Sequence, residues 1–224
     1  MNKTTRARKV RLACMVAASA AVLTVGLRPA LAADVKAGQA AAAVCVACHQ
    51  ADGGGMAAPG AEPWPALAGL DAGYIAKQLH DFRSGARTSA SMQPFAQMLD
   101  ESQIRDVAAY YASLPAPSRA APSTVDRELF EHGRKLVLQG DWERYVVSCV
   151  ACHGPDAAGV GSTFPGIAGQ LPEYLRVQLR AYRDGARSND PLDLMGAIAR
   201  RMTDRDIEAV SLWLGAQTVA GPAK

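Results

Sequence analysis

The sequence contains few aromatic residues and few stretches that favour β-strands. Phe, Trp and Tyr make up 6% of its 224 residues, and runs of Val, Ile and Thr are scarce, which argues against a large sheet. The length allows two small domains of about 80–100 residues each. Domains of that size bury little apolar surface by themselves, so a large bound cofactor in each would supply part of the missing core.

Acidic residues are absent from the first 32 positions. Basic residues precede an apolar stretch at residues 12–27, and Ala30-Leu31-Ala32 provides small residues at the usual cleavage positions. The stretch is shorter than the about 20 apolar residues of a membrane span. Residues 1–32 are therefore predicted to be a signal peptide that exports the chain to the periplasm. If the signal stays uncleaved, the chain is membrane-associated instead.

A basic surface is also lacking once this segment is removed. The segment contains six of the 24 Lys and Arg residues, so the 21 acidic residues outnumber the basic ones in the rest of the chain. Nucleic-acid binding needs a basic stripe, and this class of function is therefore excluded. The segment also contains Cys14, which leaves four of the five cysteines in the exported chain.

An internal repeat organises the exported chain. The motif Cys-Val-Ala-Cys-His occupies residues 45–49 and again residues 149–153, and residues 74–87 return with small changes at residues 174–187. Three prolines and several small residues between the copies indicate a semi-rigid linker. The repeat predicts two tandem domains, residues 33–117 and residues 118–224, and the second domain begins with the linker.

Helical periodicity is present in both copies, and no segment has a convincing strand pattern. One helix in each copy is expected to lead into the cysteine motif, from about Val35 and from about Asp126. A second helix is expected over residues 74–84 and 173–184. A third is expected after Asp100 and after Thr203, which stand at capping positions. The predicted fold class is therefore all-α.

The two cysteine motifs carry the strongest chemical signal. Cys-x-x-Cys-His is the attachment motif of c-type haem, because two thiols one helical turn apart can both form thioethers to one porphyrin edge. The following His can then bind the iron. A zinc site or two disulfides would also use four cysteines, but neither explains a His after both motifs. We therefore predict two covalently bound haem c groups, on Cys45 and Cys48 and on Cys149 and Cys152.

The second axial ligand of each iron must come from elsewhere in its half. The candidates are Met56, Met92, Met98, Met195, Met202, His80 and His132. Met92 and Met195 alone correspond across the repeat, so they are predicted to join His49 and His153 as iron ligands. Met98 and Met202 are expected to pack in the core, whereas His80 and His132 are expected to face solvent.

One matched loop contains a proline in both copies, at Pro65 and Pro165. A ligating imidazole usually donates its other N–H to an oxygen atom. The carbonyl oxygens of these prolines are reasonable acceptors for His49 and His153. The alternative, that the prolines only set the shape of the loop, stays open.

These residues resemble the cytochrome c4 family of exported dihaem cytochromes, which are made of two class I cytochrome c domains. The resemblance rests on the paired Cys-Val-Ala-Cys-His motifs, the proline loops, the segments at residues 74–87 and 174–187, and a Met before each final helix. It covers roughly residues 34–217.

The resemblance implies two tandem cytochrome c-like domains, each with short helices packed around one haem with His and Met axial ligands. It implies a carrier of single electrons with no catalytic residues, working in a respiratory chain. The implied donor is a quinol-oxidising complex or a dehydrogenase, and the implied acceptor is a terminal oxidase. Contact with a membrane is expected only by peripheral association or through an uncleaved signal.

Two other functions remain open at this point. The chain can be the cytochrome subunit of a periplasmic dehydrogenase, since residues 140–143 lengthen the approach to the second cysteine motif and could suit a dedicated partner. Less favoured is a dihaem enzyme, either a peroxidase or a thiosulfate-oxidising one. A peroxidase needs an open iron position, and a thiosulfate-oxidising enzyme is expected to use an unusual ligand such as Cys, for which no spare cysteine remains.

Overall fold

The computed structural model describes residues 32–119 and 126–218. All of the predicted signal peptide (residues 1–32) except its last residue lies outside the described residues, as do residues 120–125, which include the end of the predicted linker. We call residues 32–119 the first half and residues 126–218 the second half. The described residues are mostly helical and contain isolated β-bridges in place of strands, so the predicted all-α fold is confirmed.

Each half contains five α-helices among the described residues. In the first half they are α1 (Val35–Ala41), α2 (Val46–His49), α3 (Ala72–Ser84), α4 (Met92–Met98) and α5 (Glu101–Ser113). In the second half they are α6 (Arg127–Gln139), α7 (Val150–His153), α8 (Pro172–Arg183), α9 (Leu194–Ala199) and α10 (Asp204–Gly215).

Capping residues set the starts of the long helices. The Asp100 side chain accepts from the Gln103 backbone N–H, and the Gln103 side chain accepts from the Asp100 N–H, which completes the predicted capping box of α5. Thr203 and Asp206 form the same arrangement at α10. Pro172 begins α8, where its missing N–H costs no hydrogen bond.

The first and last helices of each half cross at a glycine. A Cβ atom on Gly38 of α1 would lie 2.0 Å from the Asp106 carbonyl oxygen of α5, and one on Gly133 of α6 would lie 2.1 Å from the Ala209 carbonyl oxygen of α10. Only glycine allows such a close approach. The two crossings bring each final helix against the start of its half, and a core forms behind each cysteine motif.

The segment that lengthens the approach to the second motif folds as a short 3-10 turn at Trp142–Arg144. Asp141 and Val146 close it with a pair of backbone hydrogen bonds. The side chains of Trp142 and Tyr145 are 67% and 73% exposed. The insertion, which the first half lacks, therefore places two exposed aromatic side chains on the surface of the second half.

Sequence patterns did not predict every element. The helices α4 and α9, which carry the candidate methionines, are too short to show a clear periodicity. One expectation about a single side chain is wrong: Met98 is 71% exposed and does not pack in the core. The side chain of His132 is 31% exposed and also binds the buried Asp206. No described helix is both long enough and apolar enough to cross a membrane.

Candidate cofactor sites

His49 closes the first cysteine motif and is almost fully buried. It ends α2, and Cys45 and Cys48, three positions apart, lie on the same side of that helical turn. The Cys48 N–H donates to the Cys45 carbonyl at 3.2 Å. The His49 Nδ1 atom lies 2.8 Å from the Pro65 carbonyl oxygen. A carbonyl oxygen can only accept, so Nδ1 carries the proton. The other nitrogen, Nε2, therefore has an unshared electron pair, and no described residue hydrogen-bonds to it.

His153 repeats this arrangement in the second half. It ends α7 behind Cys149 and Cys152, and its Nδ1 atom lies 2.7 Å from the Pro165 carbonyl oxygen. The Phe164 ring stands edge-on to the imidazole, with ring centroids 6.3 Å apart. Both histidines thus have their tautomer and orientation fixed by the carbonyl of a proline in the matched loop.

A cavity opens in front of each histidine. The first, of about 300 Å³, is lined by Cys45, His49 and Met92 together with apolar side chains. The second, of about 420 Å³, is lined by Cys149, Cys152, His153 and Met195. The structure therefore brings each predicted methionine to the same cavity as its predicted histidine.

Different groups hold the two methionines in place. The Met92 N–H donates to the Ser89 hydroxyl at 3.1 Å, whereas the Met195 N–H donates to the Asp190 carboxylate at 2.7 Å. Each contact provides an acceptor for a backbone N–H in the first turn of a short helix, where the helix itself provides none. The remaining methionine candidate in the core, Met202, packs beneath the second cavity as predicted.

Burial favours the neutral forms of His49, His153, Cys45 and Cys149. It lowers the pKa of His49 and of His153, and the hydrogen bonds to the proline carbonyls oppose this only partly. Both imidazoles are therefore uncharged at neutral pH, as a metal ligand must be. Burial also raises the pKa of the Cys149 thiol to about 12 and that of Cys45 in the same direction.

The two cavities meet at a polar cluster that joins the halves. Both are lined by its members Tyr74, Gln78, Tyr174, Gln178 and Arg187. The Arg87 guanidinium donates to Gln78 at 2.7 Å and to the Tyr174 hydroxyl at 2.8 Å. We call these five residues and Arg87 the interface cluster. They were not predicted as functional, although Tyr, Gln and Arg recur exactly 100 positions apart in the sequence.

Two buried guanidinium groups dominate the charge of the interface cluster. Arg87 and Arg187 are each 8% exposed, and neither forms a salt bridge within the described residues. Although burial opposes it, their positive charge lowers the pKa of Tyr174. A buried positive charge is stabilised when a carboxylate lies beside it.

The residues of both cavities fit haem c. The second cavity offers two thiols one turn apart, a neutral imidazole and a thioether around an apolar space. The first offers the Cys45 thiol, a neutral imidazole and a thioether, and Cys48 lies one turn along the same motif. The free Nε2 of His49 fits a metal ion, and the two unpaired guanidinium groups fit the carboxylates that haem carries. The remaining histidine, His80, lies outside the cavities, beside Arg83 and Glu101.

Comparison with known proteins points to one family. A family model described as cytochrome c matches residues 35–115 and again residues 130–217. Two proteins named thiosulfate dehydrogenase electron acceptor are similar to the chain. The one from Stutzerimonas stutzeri is 52% identical over 172 residues, covering 76% of this chain and 77% of that protein. The one from Thiomonas intermedia is 44% identical, covering 80% and 81%.

Cytochromes c4 are also similar to the chain. Cytochrome c4 from Thiocapsa roseopersicina is 38% identical, covering 81% of this chain and 91% of that protein. The structure of reduced cytochrome c4 from Pseudomonas stutzeri has a TM-score of 0.75 and 32% identity, covering 83% of this chain and all of that one. A thiosulfate dehydrogenase structure from Marichromatium purpuratum has a TM-score of 0.74 and 38% identity. That match covers 85% of this chain but only 42% of the other.

Proposed function

Because the chain belongs to the cytochrome c family, as a dihaem member of the cytochrome c4 group with two covalently bound haem c groups, we propose that its electron donor is a periplasmic thiosulfate dehydrogenase. The chain is a dihaem electron carrier that works with redox partner proteins. The proposal concerns which partner delivers the electrons. The observation that carries it is the higher identity to two thiosulfate dehydrogenase electron acceptors, 52% and 44%, than to cytochrome c4 at 38%.

In this proposal each half of the chain holds one haem. Cys45 and Cys48 would hold the first haem through thioethers, with His49 and Met92 as ligands of its iron. Cys149 and Cys152 would hold the second haem, with His153 and Met195 as ligands of its iron. The haem supplies an iron that takes up and releases one electron at a time. We place the boundary between the domains at residue 118, within the proline-rich segment.

The protein groups keep the candidate iron ligands in the form that can bind a metal. The carbonyls of Pro65 and Pro165 hold the protons of His49 and His153 on Nδ1, which leaves Nε2 free to bind. The thioethers of the two methionines are uncharged and favour the reduced iron. An iron held by both a histidine and a methionine would offer no position to a substrate, and this donor set supports a carrier in preference to an enzyme.

The interface cluster supports electron exchange within the molecule. Its residues line both cavities, so the two haems would lie on either side of one shared wall. An electron that enters at one haem would then reach the other without leaving the chain. A carrier of this kind needs only brief contact with its partners, because small interfaces separate quickly.

The donor proposal is tested by mixing purified proteins. Oxidised, mature, haem-loaded protein is mixed with a thiosulfate dehydrogenase, thiosulfate is added, and haem reduction is followed by absorbance in a stopped-flow instrument. A cytochrome c4 of 38% identity or less is the matched control, because it offers the same haems on a related surface. We expect this protein to be reduced at least tenfold faster than the control. Equal or slower reduction contradicts the proposal.

A general carrier between a quinol-oxidising complex and a terminal oxidase is the second candidate. The similarity to cytochromes c4 over 81% of the chain favours it. Reduction by the quinol-oxidising complex that outpaces reduction by the dehydrogenase would support this candidate. A dihaem enzyme is tested separately: ready binding of carbon monoxide to the native reduced protein would reveal an open iron position.

The proposed place of work is the periplasm. The predicted signal peptide supports it, and so does the likeness to carriers that accept electrons from a dehydrogenase. Fractionation of cells that express the full chain tests it. We expect the haem-stained protein in the periplasmic fraction, at a mass that lacks residues 1–32.

A further inference from the structure

Gln170 of the second half reaches across to the loop that holds His49 in the first half. Its side-chain Oε1 accepts from the Ala66 N–H at 2.8 Å, and its Nε2 donates to the Ala66 carbonyl at 2.9 Å. The side chain is 6% exposed. A buried amide in two hydrogen bonds to one residue of the other half is held in a single orientation.

The Ala66 N–H belongs to the same peptide group as the Pro65 carbonyl. One end of this planar group donates to Gln170, and the other end accepts from His49 Nδ1 at 2.8 Å. Hydrogen bonds in such a chain polarise one another, so a bond at the N–H makes the carbonyl a better acceptor. Gln170 therefore acts on His49 through one peptide group, without contacting it.

The second half has no counterpart of this contact. The position that corresponds to Gln170 is Leu70, which has no amide to offer. The peptide group between Pro165 and Gly166 still accepts from His153 at 2.7 Å. No group within the described residues accepts from its N–H, however. The hydrogen-bonded chain behind the axial histidine is thus longer for the first site than for the second.

We propose that Gln170 is a positioning residue for His49, which lowers the reduction potential of the first haem relative to the second. This inference rests on the proposed ligation of the first iron by His49. A stronger Nδ1–H bond makes the imidazole a more basic ligand. A more basic ligand stabilises the oxidised iron more than the reduced iron, and the potential falls. Because Gln170 also lines the second cavity, the contact links the environments of both haems.

The test compares two variants of the mature, haem-loaded protein. Gln170→Leu copies the residue of the first half, and Gln170→Met keeps the volume of the side chain without its amide. Potentials are measured by redox titration, and the haem methyl signals in NMR spectra separate the two haems. Hydrogen exchange of the Ala66 amide reports whether the contact has been lost.

We expect the potential of the first haem to rise in both variants, and by more than any change at the second haem, whose cavity Gln170 also lines. The Ala66 amide should exchange at least tenfold faster. Asn189→Ala is the control, since it removes hydrogen bonds to Gln78 and Asp81 across the same interface but does not contact the Pro65–Ala66 peptide. A rise of equal size in the control, an equal rise of both haems, or no rise despite faster exchange overturns the inference.

The same samples show which proposal has failed. Ligation by His49 and Met92 is read from the weak sulfur-to-iron absorption band of the unmodified protein and from its inertness to carbon monoxide. The donor proposal is read from the stopped-flow experiment with the dehydrogenase. Neither readout depends on Gln170. An unchanged potential in protein that passes both is therefore a failure of the Gln170 inference alone.

Discussion

The two halves of the molecule each line a cavity with a matching cysteine, histidine and methionine, but they hold these side chains in place by different means. In the first half, the loop behind His49 is held from outside by Gln170 of the second half. In the second half, the final helix is tied to its own insertion through Asp206, which binds His132 and Arg144. The position that corresponds to Asp206 in the first half is Gln103, which cannot form these ion pairs. The comparison shows that the residues lining a duplicated site can be retained while the contacts that hold them in place differ between the copies.

The largest expected effect tests whether the two methionines are equivalent. Met92→Ala and Met195→Ala should each abolish about half of the sulfur-to-iron absorption band and lower the potential of one haem, because a neutral thioether favours the reduced iron. The measurement is a redox titration followed at that band. Met98→Ala serves as the control, since Met98 is 71% exposed. A variant that keeps the full band shows that its methionine is not a ligand, and the two halves then differ in coordination.

The helix crossings should respond alike in both halves. Gly38→Ala and Gly133→Ala each place a Cβ about 2 Å from a backbone carbonyl oxygen, and the helices must move apart. We expect each variant to lose about 3 kcal/mol of the free energy of unfolding, measured by urea unfolding of the haem-loaded protein. Lys36→Ala, on an exposed position of α1, should change it by less than about 0.5 kcal/mol. A large loss in only one half contradicts the structural equivalence of the crossings.

A smaller effect, restricted to the second half, is expected at Asp206. Burial alone would raise the pKa of this carboxyl, but hydrogen bonds from Arg144, Thr203 and His132 outweigh it and hold the pKa well below its usual range. The unfolded chain binds the proton more readily, near pH 4. The stabilisation is therefore complete above about pH 5 and is lost as the pH falls below about 4.

Asp206→Asn tests this directly. At neutral pH we expect a loss of about 2 kcal/mol in the free energy of unfolding, because the Arg144 guanidinium loses its buried anionic partner. Between about pH 5 and pH 3 the stability of the variant should fall less steeply than that of the unmodified protein. Urea unfolding at a series of pH values is the measurement, with Gln103→Ala as the control in the first half. Parallel pH curves for Asp206→Asn and the unmodified protein refute the role given to Asp206.

Much of this structure could be predicted from local patterns. The cysteine motifs, the capping residues Asp100 and Thr203, and the spacing of apolar residues depend on neighbours in the chain. The starts of all five long helices were therefore predicted to within two residues: α3 begins at Ala72, α5 at Glu101, α6 at Arg127, α8 at Pro172 and α10 at Asp204. The repeat itself identified the pair of methionines that lie at the cavities.

Contacts between distant parts of the chain could not be predicted in this way. Gln170 and Ala66 are 104 positions apart, and nothing in the spacing of either residue indicates that they meet. His132 and Asp206 are 74 positions apart, which is why their contact was not predicted. The Tyr, Gln and Arg residues of the interface cluster are repeated in the sequence. Repetition alone does not indicate that these residues contact one another between the halves.

The central claim is that each half of the exported chain carries one covalently bound haem. Intact-mass spectrometry of the denatured mature protein, produced in a host that matures c-type cytochromes, tests it most directly. We expect the mass of the polypeptide without residues 1–32 plus two haems, and plus one haem when Cys149 and Cys152 are both replaced by Ala. A mass equal to the bare polypeptide, or to one haem in the unmodified protein, would contradict the account.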